Sequence, residues 1–253
     1  VGAARLGLSA AFVTSVGDDM DGRLILADFA AEKVDTSAIR VRRGGRSPVA
    51  CCWITPDGRR SVAWTKNNLE LLKSDEIPLE MIRRAKILHL DGHHPDAAVS
   101  ARAAKAAGVL VNLDAGTFTP RIGELLELAD ILIASEFFAR KWSGESELEK
   151  ALAGLKTLGA RVTGVTAGSA GSMLIAEDGT ILRCPALRDL PVVDSTGAGD
   201  AYHCGFGVRY LETGDLRECM RFASAFAGLK CGKLGARAGL PTRKEVDEFL
   251  RNH

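Results

Sequence analysis

From residue 86 the chain repeats one pattern, a short apolar run followed by a helical stretch, and that pattern restricts the possible folds more than any other feature. "KILHLD" (86–91) reads as a short buried strand and 95–107 as an alanine-rich helix closed by Gly108. "VLVNLD" (109–114) predicts a strand, "RIGELLEL" (121–128) a helix and "DILIA" (130–134) a strand. "ELEKALAGLKTL" (147–158) predicts a helix ended by Gly159, and "RVTGVTAG" (161–168) leads into a further strand. Alternating strands and helices imply right-handed crossovers and a parallel sheet covered on both faces. Ligand chemistry in such sheets gathers at the carboxyl ends of the strands. Asp91-Gly92, Asp114-Ala115-Gly116, Ser135-Glu136 and Thr166-Ala167-Gly168 all fall at such ends.

The flanking segments have a different texture. The chain opens in what reads as the last turns of a helix, ended by Gly7 and followed by the strand "AAFVTSVG" (10–17). A helix running straight into a strand leads to the expectation that an upstream strand and loop belong before Val1. Leu24, Ile25, Leu26, Phe29 and Ala30 fit one face of a helix. "SPVACCWI" (47–54) and "SVAWT" (61–65) read as a β-hairpin with Pro56-Asp57-Gly58 as its turn, a candidate flap over a site. "SMLIAEDGTILRC" (172–184) predicts a second hairpin around Asp178-Gly179, and 197–212, 215–231 and 242–250 predict helices.

Bulk properties exclude several classes. The 253 residues are 46% hydrophobic and 26% charged, which is ample for a core. A formal net charge of +1 gives no electrostatic footprint for nucleic acid or an acidic membrane. No apolar run approaches the ~20 residues of a membrane span, and no signal peptide is visible. Six cysteines without a C-x-x-C pair read as reduced, buried thiols in a cytoplasmic protein.

The most informative stretch is "VVDSTGAGDAYHCGFGV" (192–208), where a strand-like run gives way to a helix through Gly197-Ala198-Gly199-Asp200. Small residues let backbone N–H groups approach an anion, and a helix start presents those groups unpaired. Asp200 in the first turn is either a cap stabilised by the helix dipole or a general base. In the second reading it takes a proton from a hydroxyl attacking a phosphoryl group, while Gly197, Ala198 and Gly199 hold the developing charge.

"DSTGAGDAYHCGF" resembles the C-terminal signature of the ribokinase-like (PfkB) sugar kinases, usually D-T-x-G-A-G-D. "VGDDMDGRLI" and "VDTSAI" resemble the family's early segments, "VTAGSAGSMLI" its nucleotide strand and "FASAFAGLKCGKLGARAGLP" its closing segment. The resemblance implies a ribokinase-like α/β three-layer sandwich with a mostly parallel central sheet and a small β lid. One domain would span 1–253, with 40–65 as the lid segment and the hairpin 47–65 closing over the sugar. It implies ATP-dependent phosphorylation of a sugar hydroxyl, with ribokinase, fructokinase and sulfofructose kinase activities all open and the last branch most similar in its motifs. Asp200 matches the catalytic base and Gly197, Ala198 and Gly199 the anion hole. Thr166, Gly168 and Gly171 match the nucleotide strand, and Lys230, Gly232 and Gly235 lie in the 230–239 loop, expected to border the adenine or a monovalent cation. Asp194 and the Thr196 backbone match positions that often hold a monovalent cation in relatives, with K⁺ the candidate ion. The resemblance also implies Mg²⁺ and a homodimer through the lid.

Three departures stand out. Ser195 replaces the usual Thr, and Ser135 and Phe138 stand where the Mg²⁺-organising N-x-x-E would have Asn and Glu, which leaves Glu136 to act through water. The family's first strand and Gly-Gly motif should precede Val1. Candidate sugar contacts are Asp91, His93, His203 and Arg42. Arg42 sits in "RVRRGGR" (40–46), either a solvated loop or a phosphate clamp. His203 either reaches a substrate anion or packs against a neighbour, and His93 and His94 suit loop polarity or substrate contact better than a metal. Trp53 and Trp64 suit lid packing better than recognition. The competing class is a non-catalytic sugar- or nucleotide-binding homologue, against which the intact 194–200 loop argues.

Overall fold

The computed structural model describes residues 1–55, 60–188 and 190–252. The expected turn at Pro56-Asp57-Gly58 lies outside the described residues. The chain divides into two compact units that interleave along the sequence: Val1–Pro78 with Leu190–Ala198 and Leu229–His253, and Leu79–Asp189 with Gly199–Gly228.

The first unit opens with α1 (Gly2–Arg5), β1 (Thr14–Gly17), α2 (Met20–Ala31) and β2 (Ile39–Arg42), and β1 and β2 pair in parallel. Gly17 and Gly22 bring the backbone close at this corner, since a Cβ on Gly22 would lie 2.0 Å from the Gly17 carbonyl oxygen. Asp19 caps α2 by accepting from the Gly22 N–H at 2.8 Å, and it also accepts from the Ser47 N–H and hydroxyl, each at 2.8 Å. Those donors hold its carboxyl below the usual range. One aspartate thus fixes both the helix start and the residue that leads into the hairpin β3 (Val49–Ile54) and β4 (Arg60–Thr65).

One expectation holds here and one fails. The apolar residues of α2 do form a helix, but Leu24 is 59% exposed and Gly22 is its one buried residue. Cys51 and Cys52, expected buried, are both exposed, while Cys219 and Cys231 are buried. A lone two-stranded ribbon has no layer packed on either face, so alternation along β3 leaves both sets of side chains in solvent.

The second unit is built on a six-stranded sheet. Its strands are β5 (Ile87–Leu90), β6 (Leu110–Ala115), β7 (Ile131–Ser135), β8 (Val162–Thr166), β9 (Ser172–Ile175) and β10 (Ile181–Cys184), in spatial order β10-β9-β8-β7-β6-β5. β5 to β8 are parallel, and the β9–β10 hairpin joins antiparallel to β8. The predicted alternation is realised, with α4 (Ala97–Ala106), α5 (Ile122–Leu128) and α7 (Leu148–Lys156) as crossovers. Ile131, Leu132, Ile133 and Ala134 are all fully buried, so both faces of the central strand are covered. On one face Ile131 and Ile133 pack with Phe206 of α8 (Ala198–Thr213) and with Cys219 and Ala223 of α9 (Leu216–Lys230). β5 is only partly buried instead of a core strand, because it is the sheet edge. The sequence reading also missed β2, α3 (Leu79–Arg83) and α6 (Glu136–Ser143). Among the described residues no helix is long and apolar enough to cross a membrane.

Candidate active site

Parallel register brings Asp114 near the end of β6, Ser135 to the end of β7 and Thr166 to the end of β8, with Ser135 paired to Thr166 and Asp91 just beyond β5. The carboxyl ends of four strands therefore carry the polar residues expected there. Behind them lies a buried polar cluster that the sequence reading only partly anticipated. His203, 2% exposed, points Nε2 at Asp114 Oδ1 across 3.4 Å. Asn112 donates from Nδ2 to the His203 carbonyl at 3.2 Å, and the same nitrogen lies 3.2 Å from His89 Nδ1. Burial pushes the His203 imidazole down to about 4, against the nearby charge of Asp200. Burial and the neighbouring His203 lower His89 as well. Burial pushes the Asp114 carboxyl up to about 6, and the charges of Asp200 and Asp91 add to the rise. At neutral pH His203 is therefore neutral, and its contact with Asp114 is a polar contact between a neutral ring and a carboxylate. His203 Nδ1 is buried without a hydrogen-bond partner among the described residues.

Asp200 itself is exposed and lies in the first turn of α8, one turn ahead of His203. The boundary between the compact units falls just before it, after Ala198. Gly199 is exposed, and a Cβ built on it meets no atom within 4 Å. Internal packing therefore gives no reason for a glycine at 199. Gly197 is different: its φ of 76° is left-handed, and a Cβ would come 3.1 Å from Ala236.

The loop leading to Gly197 is anchored within the first unit. Val193 and Asp194 donate their N–H groups to the Cys231 carbonyl at 2.9 and 3.1 Å. Asp194 is fully buried, and its two carboxylate oxygens accept from the N–H groups of Thr196 and Gly235, each at 2.8 Å. Burial alone would raise its pKa, but those donors and the charge of Lys230 hold it below the usual carboxylate range. Lys230, expected at the nucleotide, is instead fully buried and donates from Nζ to the Asp194 carbonyl at 2.8 Å. The reason is packing: a Cβ on Gly239 would lie 2.1 Å from the Lys230 carbonyl, so the loop folds down over the end of α9. Gly232 donates to Leu229 at 3.2 Å and turns that end, while Gly235 spends its N–H on Asp194.

Thr166 donates weakly to the Ala134 carbonyl at 3.5 Å, and Gly168 opens a short 3₁₀ turn. Gly171 has a φ of 93°, and a Cβ would strike the Cys184 carbonyl at 2.2 Å, so its glycine serves the β9–β10 hairpin. Asp91 accepts from the His93 N–H at 3.0 Å, and both side chains are exposed. Arg42 is not a clamp awaiting an anion. Its guanidinium forks onto the Glu76 carboxylate and donates to the carbonyls of Glu70 at 3.1 Å and Leu71 at 2.9 Å. Glu136 pairs with Arg140 at 2.7 Å, one helical turn on, and Ser135 caps α6 by accepting from the Phe138 N–H at 3.1 Å. No group of three or more His, Cys, Asp or Glu side chains among the described residues could hold a metal ion.

A covered, mostly parallel sheet with polar residues at its carboxyl ends, and a glycine-bearing helix start next to an exposed aspartate, define an α/β architecture suited to an anionic ligand. The pfkB family carbohydrate kinase profile matches residues 1–243, and the chain belongs to that family. It is a carbohydrate kinase with the ribokinase-like fold. It is 34% identical over 98% of its length to the ATP-dependent ribose-1-phosphate kinase of Halopiger xanaduensis, covering 82% of that protein. It is 30% identical over 99% of its length to the probable chloroplastic fructokinase-6 of Arabidopsis thaliana, covering 72% of it. Among solved structures, the Arabidopsis thaliana ribokinase complexed with ribose and ATP superposes with a TM-score of 0.87 at 31% identity, covering 99% of this chain and 84% of that one.

Proposed function

We propose that the protein transfers the γ-phosphoryl group of ATP to a hydroxyl of an uncharged sugar of the ribose or fructose type. The observation that carries the reading is Gly199, a glycine with no internal steric reason, in the first turn of α8 beside the exposed Asp200. At a helix start the backbone N–H groups lack intrahelical acceptors. Those of residues 199 and 200 are the donors for the charge that builds on the transferred phosphoryl oxygens, because Ala198, expected beside them, donates its N–H to the Ser195 carbonyl at 3.1 Å. Asp200 accepts the proton of the attacking sugar hydroxyl. The segment 166–171, at the carboxyl end of β8, carries the rest of the nucleotide, and the 230–239 loop acts by holding 194–197 in place.

Mg²⁺ travels with the nucleotide and neutralises phosphate charge there. This suits a protein whose described residues build no carboxylate cage. Glu136, half-committed to Arg140, is left to contact the ion through water. The sugar is assigned as uncharged because Asp91 and Asp200 add negative charge to a strand end where burial already raises Asp114, while Arg42 is engaged elsewhere. Hydroxyl donors suit such a surface and an added phosphate or sulfonate does not.

The hairpin offers two apolar faces. Val49, Cys51 and Trp53 lie on one, and Ala50, Cys52 and Ile54 on the other, which Val62 and Trp64 join by register. Trp53 is 59% and Trp64 71% exposed. We assign one of these faces to the hairpin of a second copy, which makes a homodimer. The test is a turnover screen with ATP and Mg²⁺ against ribose, fructose, ribose 1-phosphate and sulfofructose. Phosphorylation of ribose or fructose with the highest kcat/KM is expected. Preference for an anionic acceptor overturns the sugar assignment, and no turnover with any of them overturns the reading.

A further inference from the structure

The family resemblance implies a monovalent cation beside Asp194 and Thr196, and the residues present leave no room for one. The oxygens alone would admit one, since an oxygen that accepts a single N–H keeps a lone pair and Thr196 Oγ1 is buried with no partner among the described residues; what excludes it is a fixed positive charge already in the space. Here both carboxylate oxygens of Asp194 already accept from main-chain N–H groups, of Thr196 and of Gly235, each at 2.8 Å. The Asp194 carbonyl oxygen is taken by Lys230 Nζ, also at 2.8 Å. Lys230 and Asp194 are both fully buried, so the ammonium and the carboxylate are matched within the first unit, out of water. A buried charge is tolerated when it is paired and hydrogen-bonded, and a second positive charge in the same small space would be repelled.

We propose that the Lys230 ammonium is the resident cation of this loop, and that it makes the enzyme indifferent to K⁺. This rests on the phosphoryl-transfer reading above, because the role is defined by what the loop does there. Lys230 is a positioning residue. It pins the Asp194 carbonyl, and Asp194 in turn orders Thr196 and Gly235, so the chain enters Gly197 in its left-handed conformation and α8 starts where its donors are needed. A bound ion could do the same work only when present. A lysine side chain supplies the charge covalently, at fixed stoichiometry, whatever the salt.

The test compares chloride salts of K⁺, Na⁺ and tetramethylammonium at constant ionic strength, with ATP and the best sugar from the screen. Wild-type kcat should agree across the three salts within about twofold. Lys230→Met should lose at least ~10-fold in tetramethylammonium, through a misplaced anion hole, and K⁺ or NH₄⁺ should restore most of that loss. Thermal unfolding supplies the readout that needs no activity: K⁺ in place of Na⁺ should leave the wild-type melting temperature unchanged and raise that of Lys230→Met. Lys230→Arg keeps the charge and should stay indifferent to K⁺ if its longer side chain is accommodated. Wild-type activation by K⁺ of ~3-fold or more overturns the proposal. So does a K⁺-specific rise in wild-type melting temperature, or full activity of Lys230→Met in tetramethylammonium. If Lys230→Met does not fold, the wild-type salt and melting arms still decide. Absence of turnover with every sugar in every salt counts against the phosphoryl-transfer reading alone, and the wild-type melting arm then judges the cation.

Discussion

Substitutions at Gly199 and Gly197 should have opposite consequences, and the contrast isolates the anion-binding role from the fold. At Gly199 an added Cβ meets no neighbour within 4 Å and the backbone needs no positive φ. Glycine in a helix costs up to about 1 kcal/mol relative to alanine, so Gly199→Ala should leave stability unchanged or raise it by that order. For a chain of this length that is a rise of at most about 2–4 °C. At Gly197 an alanine must adopt φ near 76° and sit 3.1 Å from Ala236. The left-handed conformation alone costs roughly 1–2 kcal/mol, and the crowding adds to it, so the melting temperature should drop by several degrees. Catalysis should not follow the same order. If phosphate approaches the backbone at 199, Gly199→Val keeps its fold and loses about 10²-fold or more in kcat/KM for ATP, the scale of a lost oxyanion donor. Differential scanning calorimetry and a coupled ADP-release assay on the same preparations measure both. A Gly199→Val protein with kcat/KM for ATP near wild type would refute the reasoning, since a side chain there would coexist with the phosphates.

Asp200→Asn should lower kcat by at least ~10²-fold, and being exposed it should leave the melting temperature within about a degree or two; activity near wild type would remove Asp200 as the base. Arg42→Ala should lower the melting temperature, because it frees Glu76 and two carbonyls, while KM for the sugar stays put; a large rise in KM alone would restore the clamp reading. His203 titrates near 4 in the fold against 6.5 when unfolded, so between those values the unfolded chain binds more protons and stability falls as pH drops through that window. His89 shifts the same way. Asp114 runs opposite: its folded value near 6 lies above 3.8, so it holds its proton better in the fold and costs stability above pH 6. Asp114→Asn should therefore raise the melting temperature more at pH 7.5 than at pH 4.5, and a pH-independent effect would show that the carboxyl is not raised.

The period of the apolar residues determined the parallel sheet, its crossovers and the positions of the strand ends, because a strand repeats every two residues and a helix every 3.6 whatever packs against them. The helix start at 198 was equally legible, since glycine and a helix start act over a few residues, but the strand expected just before it is irregular chain. Even α6 carried a readable sign in Ser135 as its cap and in Glu136 and Arg140 one turn apart. Partnership was not legible. Arg42 reads as an exposed cation in an arginine-rich run until the fold brings Glu76, 34 residues later, onto its guanidinium. Lys230 reads as a ligand contact until Gly239 and the Asp194 carbonyl, 36 residues earlier, close around it. His203 gains its meaning only when β6 brings Asp114 within 3.4 Å, and β5 becomes an edge only when the strand order is known. A charged or polar side chain is defined by what shares its space, and for these residues that neighbour is set by contacts between segments distant in sequence.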